Sequence, residues 1–218
     1  MKCIVLDAMG VIFRAADDVA DPLIPFVREA GGSTNAKGID SAYLDASLGI
    51  IEADDFWNRV GLAPSVEDDY LSRHSLVPGV ARFLRNAKHQ RIPVWCLSND
   101  IDRWSRKLRV AFDIEGLLAG AIISSAVNVR KPDRRIYQFL LEQSGYRAED
   151  LLFVDDRARN VEAAATIGIR SLRFSLDVGY GRLTEQLLGV PSKHALPRMR
   201  EGYVPEVKHH RRVAQRGR

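Results

Sequence analysis

Five short β-rich runs, at residues 3–6, 92–97, 121–123, 151–154 and 169–174, each give way to a polar or glycine-containing turn. Amphipathic stretches at 80–90, 102–112, 133–143 and 158–167 fill the intervals between them. Strands that are apolar at nearly every position are covered on both faces, and their alternation with helices makes the sheet parallel. The expected fold is therefore α/β, a doubly wound parallel sheet.

One interval breaks the rhythm. From 14 to 77 there is no convincing strand, only helical pieces at 21–30, 38–48, 53–60 and 65–73. Helix-start signals accompany several of them: Pro22, the acids Asp54 and Asp55, and the run Glu67, Asp68, Asp69. A compact domain rarely leaves so long a stretch as mere connection. It reads as a helical insert sitting over the strand ends. The expected organisation is a core of 1–13 and 78–190, a helical cap of 14–77, and a basic tail of 191–218.

A chain of 218 residues is long enough for one good core, or a core with a small insertion. Its pI of about 9.2 suggests nucleic acid until the charge is located. From Ser192 to Arg218 there are 8 Lys and Arg against 2 Glu, so the tail carries the basicity. The segment KHHRRVAQRGR lacks apolar periodicity and reads as a disordered, solvated end, which argues against a nucleic-acid partner for the folded part. No apolar run reaches the roughly 18 residues of a membrane span. The opening MKCIVLDAMG is too short and too acidic for a secretory signal and reads as the first strand. Cys3 and Cys96 sit in apolar runs as core thiols would, and a reduced, cytoplasmic setting is expected.

In open parallel sheets, ligands bind beyond the carboxyl ends of the strands. The polar residues expected there are Asp7; Ser98, Asn99 and Asp100; Arg130, Lys131 and Asp133; and Asp155, Asp156, Arg157, Arg159 and Asn160. Each has an ordinary alternative: an Asp after a strand can simply start a turn or cap a helix. Together, a carboxylate, a hydroxyl, a lysine and an acid pair suit a hard cation with oxygen ligands and an anionic substrate.

The blocks VLDAMGV (5–11), WCLSND (95–100), RKPDRRIY (130–137) and FVDDRARN (153–160) resemble, in order and spacing, the four motifs of the haloacid dehalogenase-like (HAD) hydrolases. The resemblance spans roughly 2–175 and puts the insert where a C1-type cap falls. It implies a Rossmannoid fold and Mg²⁺-dependent hydrolysis of a small phosphorylated metabolite through an aspartyl-phosphate. Asp7 would be the nucleophile, and with the Met9 carbonyl it would bind Mg²⁺. Asp156 would be a direct metal ligand, with Asp155 acting through water or from outside the coordination shell. Ser98 and the backbone N–H of Asn99 would hold phosphoryl oxygens, and Lys131 would neutralise charge. Asn160 would brace the acidic loop.

Met9 is the departure. Most phosphatases of this superfamily carry a second Asp there, which protonates the leaving oxygen and then activates water; a thioether does neither. A glucose-1-phosphatase-like group, with the related N-terminal phosphatase domains of epoxide hydrolases, also lacks that acid, and this sequence resembles it. Two other readings stand beside it. A metal-independent 2-haloacid dehalogenase has a similar first motif but replaces the acid pair of the fourth with Ser and Asn types. A non-catalytic member would bind a phosphorylated metabolite or a partner protein at the same place. Oligomeric state is not legible.

Overall fold

The computed structural model describes residues 1–190 except Ala16 and Val178; the basic tail lies outside the described residues. Five parallel strands form one sheet in the order β3-β2-β1-β4-β5. They are β1 (Cys3–Leu6), β2 (Val94–Ser98), β3 (Gly120–Ile123), β4 (Leu151–Asp155) and β5 (Arg170–Arg173). The strand order reverses at β1, which puts the crevice for a ligand at the carboxyl ends of β1, β2 and β4.

The period-two pattern sorts the side chains. Cys3 and Val5 of β1, Leu97 of β2 and Leu151 and Phe153 of β4 face one layer. That layer includes α8 (Arg134–Ser144) and α9 (Ala158–Thr166), through Ile136, Tyr137, Leu140 and Ala164. Ile4, Leu6, Val94, Cys96 and Val154 face the other layer. It contains α5 (Val80–His89), α6 (Asp102–Ala111) and α10 (Gly179–Leu188), through Val80, Phe83, Leu108, Tyr180 and Leu183. Both faces of the central strands are therefore dry, as their near-continuous apolar sequences require. The two cysteines lie on opposite faces, and burial pushes each thiol up to about 12. β5 is an edge strand, largely exposed, and its two arginines suit an edge.

Between β1 and β2 the chain makes a wide π-type turn (Val19–Leu23), then α1 (Ile24–Glu29), α2 (Ala36–Ser47), α3 (Ala53–Arg59) and α4 (Glu67–Ser72). The way in and the way out run antiparallel: Arg14 N–H donates to Ser75 O and Val77 N–H to Ile12 O, each at 2.8 Å. The insertion is not separately packed. Its Phe26, Phe56, Trp57 and Tyr70 belong to the same apolar cluster as Trp104 of α6, and the Trp57 and Trp104 rings lie 5.1 Å apart. α2 starts at an Asn35 cap whose side chain accepts the Gly38 N–H at 3.2 Å. The helix carries Tyr43 and Ser47 to the strand ends. A short α7 (Ser124–Val127) meets it there, where Ser124 Oγ donates to Ser47 O at 2.5 Å. Among the described residues no helix is long and apolar enough to cross a membrane.

Candidate active site

Asp7 is the first residue past β1, and its N–H donates to Val154 O at 2.9 Å, which holds it beside β4. A tight turn follows, in which the Ala8 carbonyl accepts from the N–H groups of Val11, Ile12 and Phe13. Gly10 has φ +81° here, and a Cβ at this position would stand 2.4 Å from Asp156 Oδ2. Glycine is needed for the left-handed backbone and for the approach to the acid.

Lys131 is the hub. It is 3% exposed, and its Nζ donates to Asp7 Oδ1 at 2.5 Å, Leu97 O at 2.7 Å and Asp155 Oδ2 at 2.8 Å. All three ammonium protons are engaged. Burial alone would favour the neutral amine, but the charges of Asp7 and Asp155 outweigh it and hold the pKa above the usual lysine value. The backbone of Lys131 is fixed by Asn99, whose Nδ2 donates to Lys131 O at 2.9 Å while its Oδ1 accepts the Lys131 N–H at 2.7 Å. The Asn99 side chain is thus committed to positioning the lysine.

The two acids of the fourth block differ in environment. Asp155 is fully buried, and its oxygens accept from Lys131, from Arg157 N–H at 2.8 Å and from Asn160 Nδ2 at 3.0 and 3.1 Å. Burial pushes its pKa up, yet Lys131 and these donors win and hold it below the usual value. Asp156 is only half-buried, but its Oδ1 is enclosed and has no hydrogen-bond partner among the described residues. Burial, then the charge of Asp155, raises its pKa. Asp7 is also raised, by burial first and by Asp155, with Lys131 opposing. Asp7, Asp155 and Asp156 each offer an oxygen within 4.8 Å of the others. A set of carboxylate oxygens, one of them buried and unpartnered, fits a hard divalent cation such as Mg²⁺. Asp7 and Asp156 have oxygen capacity to offer; Asp155 is already engaged.

Ser98 closes β2 at 1% exposure, beside Asn99. Asp100 is 2% exposed; its Oδ1 accepts the Ile101 N–H at 2.7 Å and faces Tyr43 OH at 3.5 Å, while its Oδ2 has no partner among the described residues. Burial raises its pKa to about 7. The folded protein therefore keeps a proton that the unfolded chain releases above about pH 4. The resulting stability loss develops as pH rises from about 4 towards 7. Asp100→Asn is expected to melt closer to wild type at pH 5 and above it at pH 8, read by thermal denaturation at both values; a gap independent of pH would refute this.

Sequence reasoning placed Asp7, Ser98, Asn99, Lys131, Asp155 and Asp156 at strand ends, and the fold gathers them at one edge of the sheet. It did not single out Tyr43, whose OH donates to Asn99 O at 3.2 Å, or the approach of Arg157 Nη2 to Asp18 at 3.4 Å. Nothing in the local sequence around Tyr43 marks it; for Asp18 the signal was a doubled acid ahead of Pro22.

An open parallel sheet thus places a carboxylate just past β1, a lysine hydrogen-bonded to it and an acid pair at the end of β4. The chain belongs to the haloacid dehalogenase-like hydrolases, whose family model matches residues 1–168. It is 26% identical over 196 residues to the sesquiterpene phosphatase astK of Aspergillus oryzae, covering 86% of this chain and 97% of that one. It is 27% identical over 186 residues to the phosphatase MT3486 of Mycobacterium tuberculosis, covering 78% and 86%. Its relatives also include a haloacid dehalogenase of Burkholderia cepacia. Among solved structures, the HAD family enzyme BT-2542 of Bacteroides thetaiotaomicron, in complex with magnesium and inorganic phosphate, superposes with a TM-score of 0.69. It is 19% identical and covers 84% of this chain and 98% of its own.

Proposed function

We propose that this hydrolase is a Mg²⁺-dependent phosphatase acting on a small phosphomonoester through an aspartyl-phosphate on Asp7, with residues 14–77 as its cap. The observation that carries this reading is the pairing of Asp7 with the buried Lys131 beside Asp156, whose enclosed oxygen lacks a partner among the described residues. A dehalogenase has no need of the second acid. The phosphatase names among the relatives support the same choice.

The residues then have these tasks. Asp7 attacks phosphorus as the ester P–O bond breaks, and water later displaces Asp7 and releases phosphate. Lys131 holds Asp7 in line and offsets the negative charge spread over the phosphoryl oxygens. Ser98 Oγ and the Asn99 backbone N–H donate to those oxygens. Asp7, the Met9 carbonyl and Asp156 would hold the metal, with Asp155 orienting the loop from behind. When bound, Mg²⁺ supplies further neutralisation of the phosphoryl group.

A depression of about 410 Å³ beside Lys131 is lined by Leu44, Leu48, Arg130, Asp133, Arg135 and Arg159, with Asp7, Ser98 and Asp156 outside its lining. Sugar and prenyl phosphates belong in one screen. Phosphate release from p-nitrophenyl phosphate and from that panel is expected with Mg²⁺, and its loss with EDTA. Halide release from 2-chloropropionate without metal would replace this reading with the dehalogenase. Tight binding of a phosphosugar with no turnover across the panel would replace it with a binding protein.

A further inference from the structure

Two residues of α2, one turn apart, hold a single peptide of the core. The Asn99–Asp100 peptide follows β2, and its carbonyl, Asn99 O, accepts from Tyr43 OH at 3.2 Å. Its N–H, that of Asp100, donates to Ser124 Oγ at 3.0 Å, and Ser124 Oγ donates in turn to Ser47 O at 2.5 Å. Tyr43 and Ser47 are themselves tied, since Ser47 Oγ donates to Tyr43 O at 2.6 Å. Positions four apart on a helix stand one above the other. One side of α2 therefore meets both edges of this peptide, directly at the carbonyl and through Ser124 at the N–H.

The grip is buried. Tyr43 is 3% exposed; its ring stacks 6.2 Å from that of Trp104 and lies 5.6 Å from the Arg130 guanidinium. Arg130 Nη1 also donates to Ser47 Oγ. Asn99, Asp100 and Ser124 are buried as well, and a buried hydrogen bond lost there would leave its acceptor unpaired. The same peptide leads to the reacting end of the site. The Asn99 side chain brackets the Lys131 backbone, at 2.9 Å to its carbonyl and 2.7 Å from its N–H. Lys131 Nζ then donates to Asp7 Oδ1 at 2.5 Å. Hydrogen bonds thus run from the insertion to Asp7 through three residues, Tyr43, Asn99 and Lys131.

We propose that Tyr43 is a positioning residue of the reaction: from the insertion it fixes the Asn99 peptide, and through the Asn99 side chain it keeps the Lys131 ammonium on Asp7. The proposal rests on the phosphatase reading. The Tyr43 hydroxyl faces Asn99 O and, at 3.5 Å, Asp100 Oδ1, so it acts through Asn99 and not on the substrate. The insertion then has a second task beside covering the ester, because the lysine geometry is complete only when α2 is seated. Small errors in the placement of a charged group cost rate while leaving binding nearly intact, since its field matters most where charge develops.

The test uses the full chain with Mg²⁺ and p-nitrophenyl phosphate, well below the melting midpoint of every variant. Tyr43→Phe removes the hydroxyl and keeps the ring against Trp104; kcat is expected to fall on the order of 10-fold, with KM changed by less than about twofold. Asn128→Gly cuts a different tie of α2 to the core, the Nδ2 bond to Leu48 O at 2.9 Å, and glycine accepts the left-handed backbone of that position. Its kcat should stay within about twofold of wild type. Asn99→Ala breaks the link to Lys131, so adding Tyr43→Phe to it should cost less than about twofold more. A loss caused by unfolded protein would multiply instead; if Asn99→Ala does not fold, Asn99→Ser is read in its place. Wild-type kcat in Tyr43→Phe, an equal loss in Asn128→Gly, or losses that multiply with Asn99→Ala would overturn the role of Tyr43 and leave the phosphatase reading intact. A wild-type protein that does not cleave the ester would sink both.

Discussion

Asp7→Asn is expected to lower phosphate release by on the order of 10⁴-fold or more while leaving the fold intact. The substitution keeps the shape of the side chain. An amide oxygen can still accept from Lys131 Nζ and from the Ala8 N–H, the two donors that Asp7 Oδ1 now serves at 2.5 and 2.7 Å. Lys131 keeps Asp155 as counter-charge at 2.8 Å, so no buried cation is stranded. What disappears is the carboxylate proposed as the nucleophile. Two measurements separate these effects: single-turnover phosphate release, and a melting curve. A wild-type-like melt with activity reduced to background is the expected pair. In the wild type, a quenched reaction should carry a phosphoryl adduct by mass spectrometry that the Asn variant lacks. An adduct that persists in the variant would move the nucleophile elsewhere.

That prediction could be framed from sequence because the site's members lie at strand ends, and strand ends are legible. Runs such as Ile4–Val5–Leu6 and Leu152–Phe153–Val154 are apolar at every position because both faces are covered, and composition alone reports that. The helical stretch between β1 and β2 shows in the sequence as a lack of such runs, and in the fold Arg14 N–H bonds to Ser75 O and Val77 N–H to Ile12 O across its base. α10 was not. Tyr180, Leu183 and Leu188 pack as a helix face, but Gly179 and Gly181 weaken the local helix signal. Packing of Tyr180 against Phe83 and Phe174 supports it instead. Within the site, the residues that converge were readable and their orientation was not. Asp155 and Asp156 are adjacent and identical in type; burial and the donors Lys131, Arg157 and Asn160 make one a fixed brace and leave the other an open oxygen. Asp17 and Asp18 pose the same difficulty, since either could cap a turn and only backbone geometry selects Asp17.

The second large effect concerns stability. Glu67→Ala is expected to destabilise the protein by about 3 kcal/mol at pH 7. Glu67 is 3% exposed on α4 of the insertion. Its Oε2 accepts from Trp57 Nε1 at 3.3 Å, Trp104 Nε1 at 2.7 Å and Arg103 Nη2 at 2.6 Å, and Lys107 reaches Oε1 at 2.8 Å. Arg103 and Lys107 have side chains that are 42% and 43% exposed, so their ion pairs are screened and contribute little. The cost comes instead from the two indole N–H groups, one from the insertion and one from α6, which would lose a buried acceptor. Burial pushes the Glu67 pKa up, but Arg103, Lys107 and Trp104 outweigh it and hold it below the usual value. Its contribution is thus present above the unfolded pKa of about 4.3 and fades as pH falls through the lower folded value. Urea denaturation of both proteins at pH 7 and at pH 3 tests this: the gap should be wide at the first and narrower at the second. One cooperative transition is expected throughout, because the apolar cluster joins Trp57 of the insertion to Trp104 of the core. A loss below about 1 kcal/mol would put Glu67 in the class of surface ion pairs.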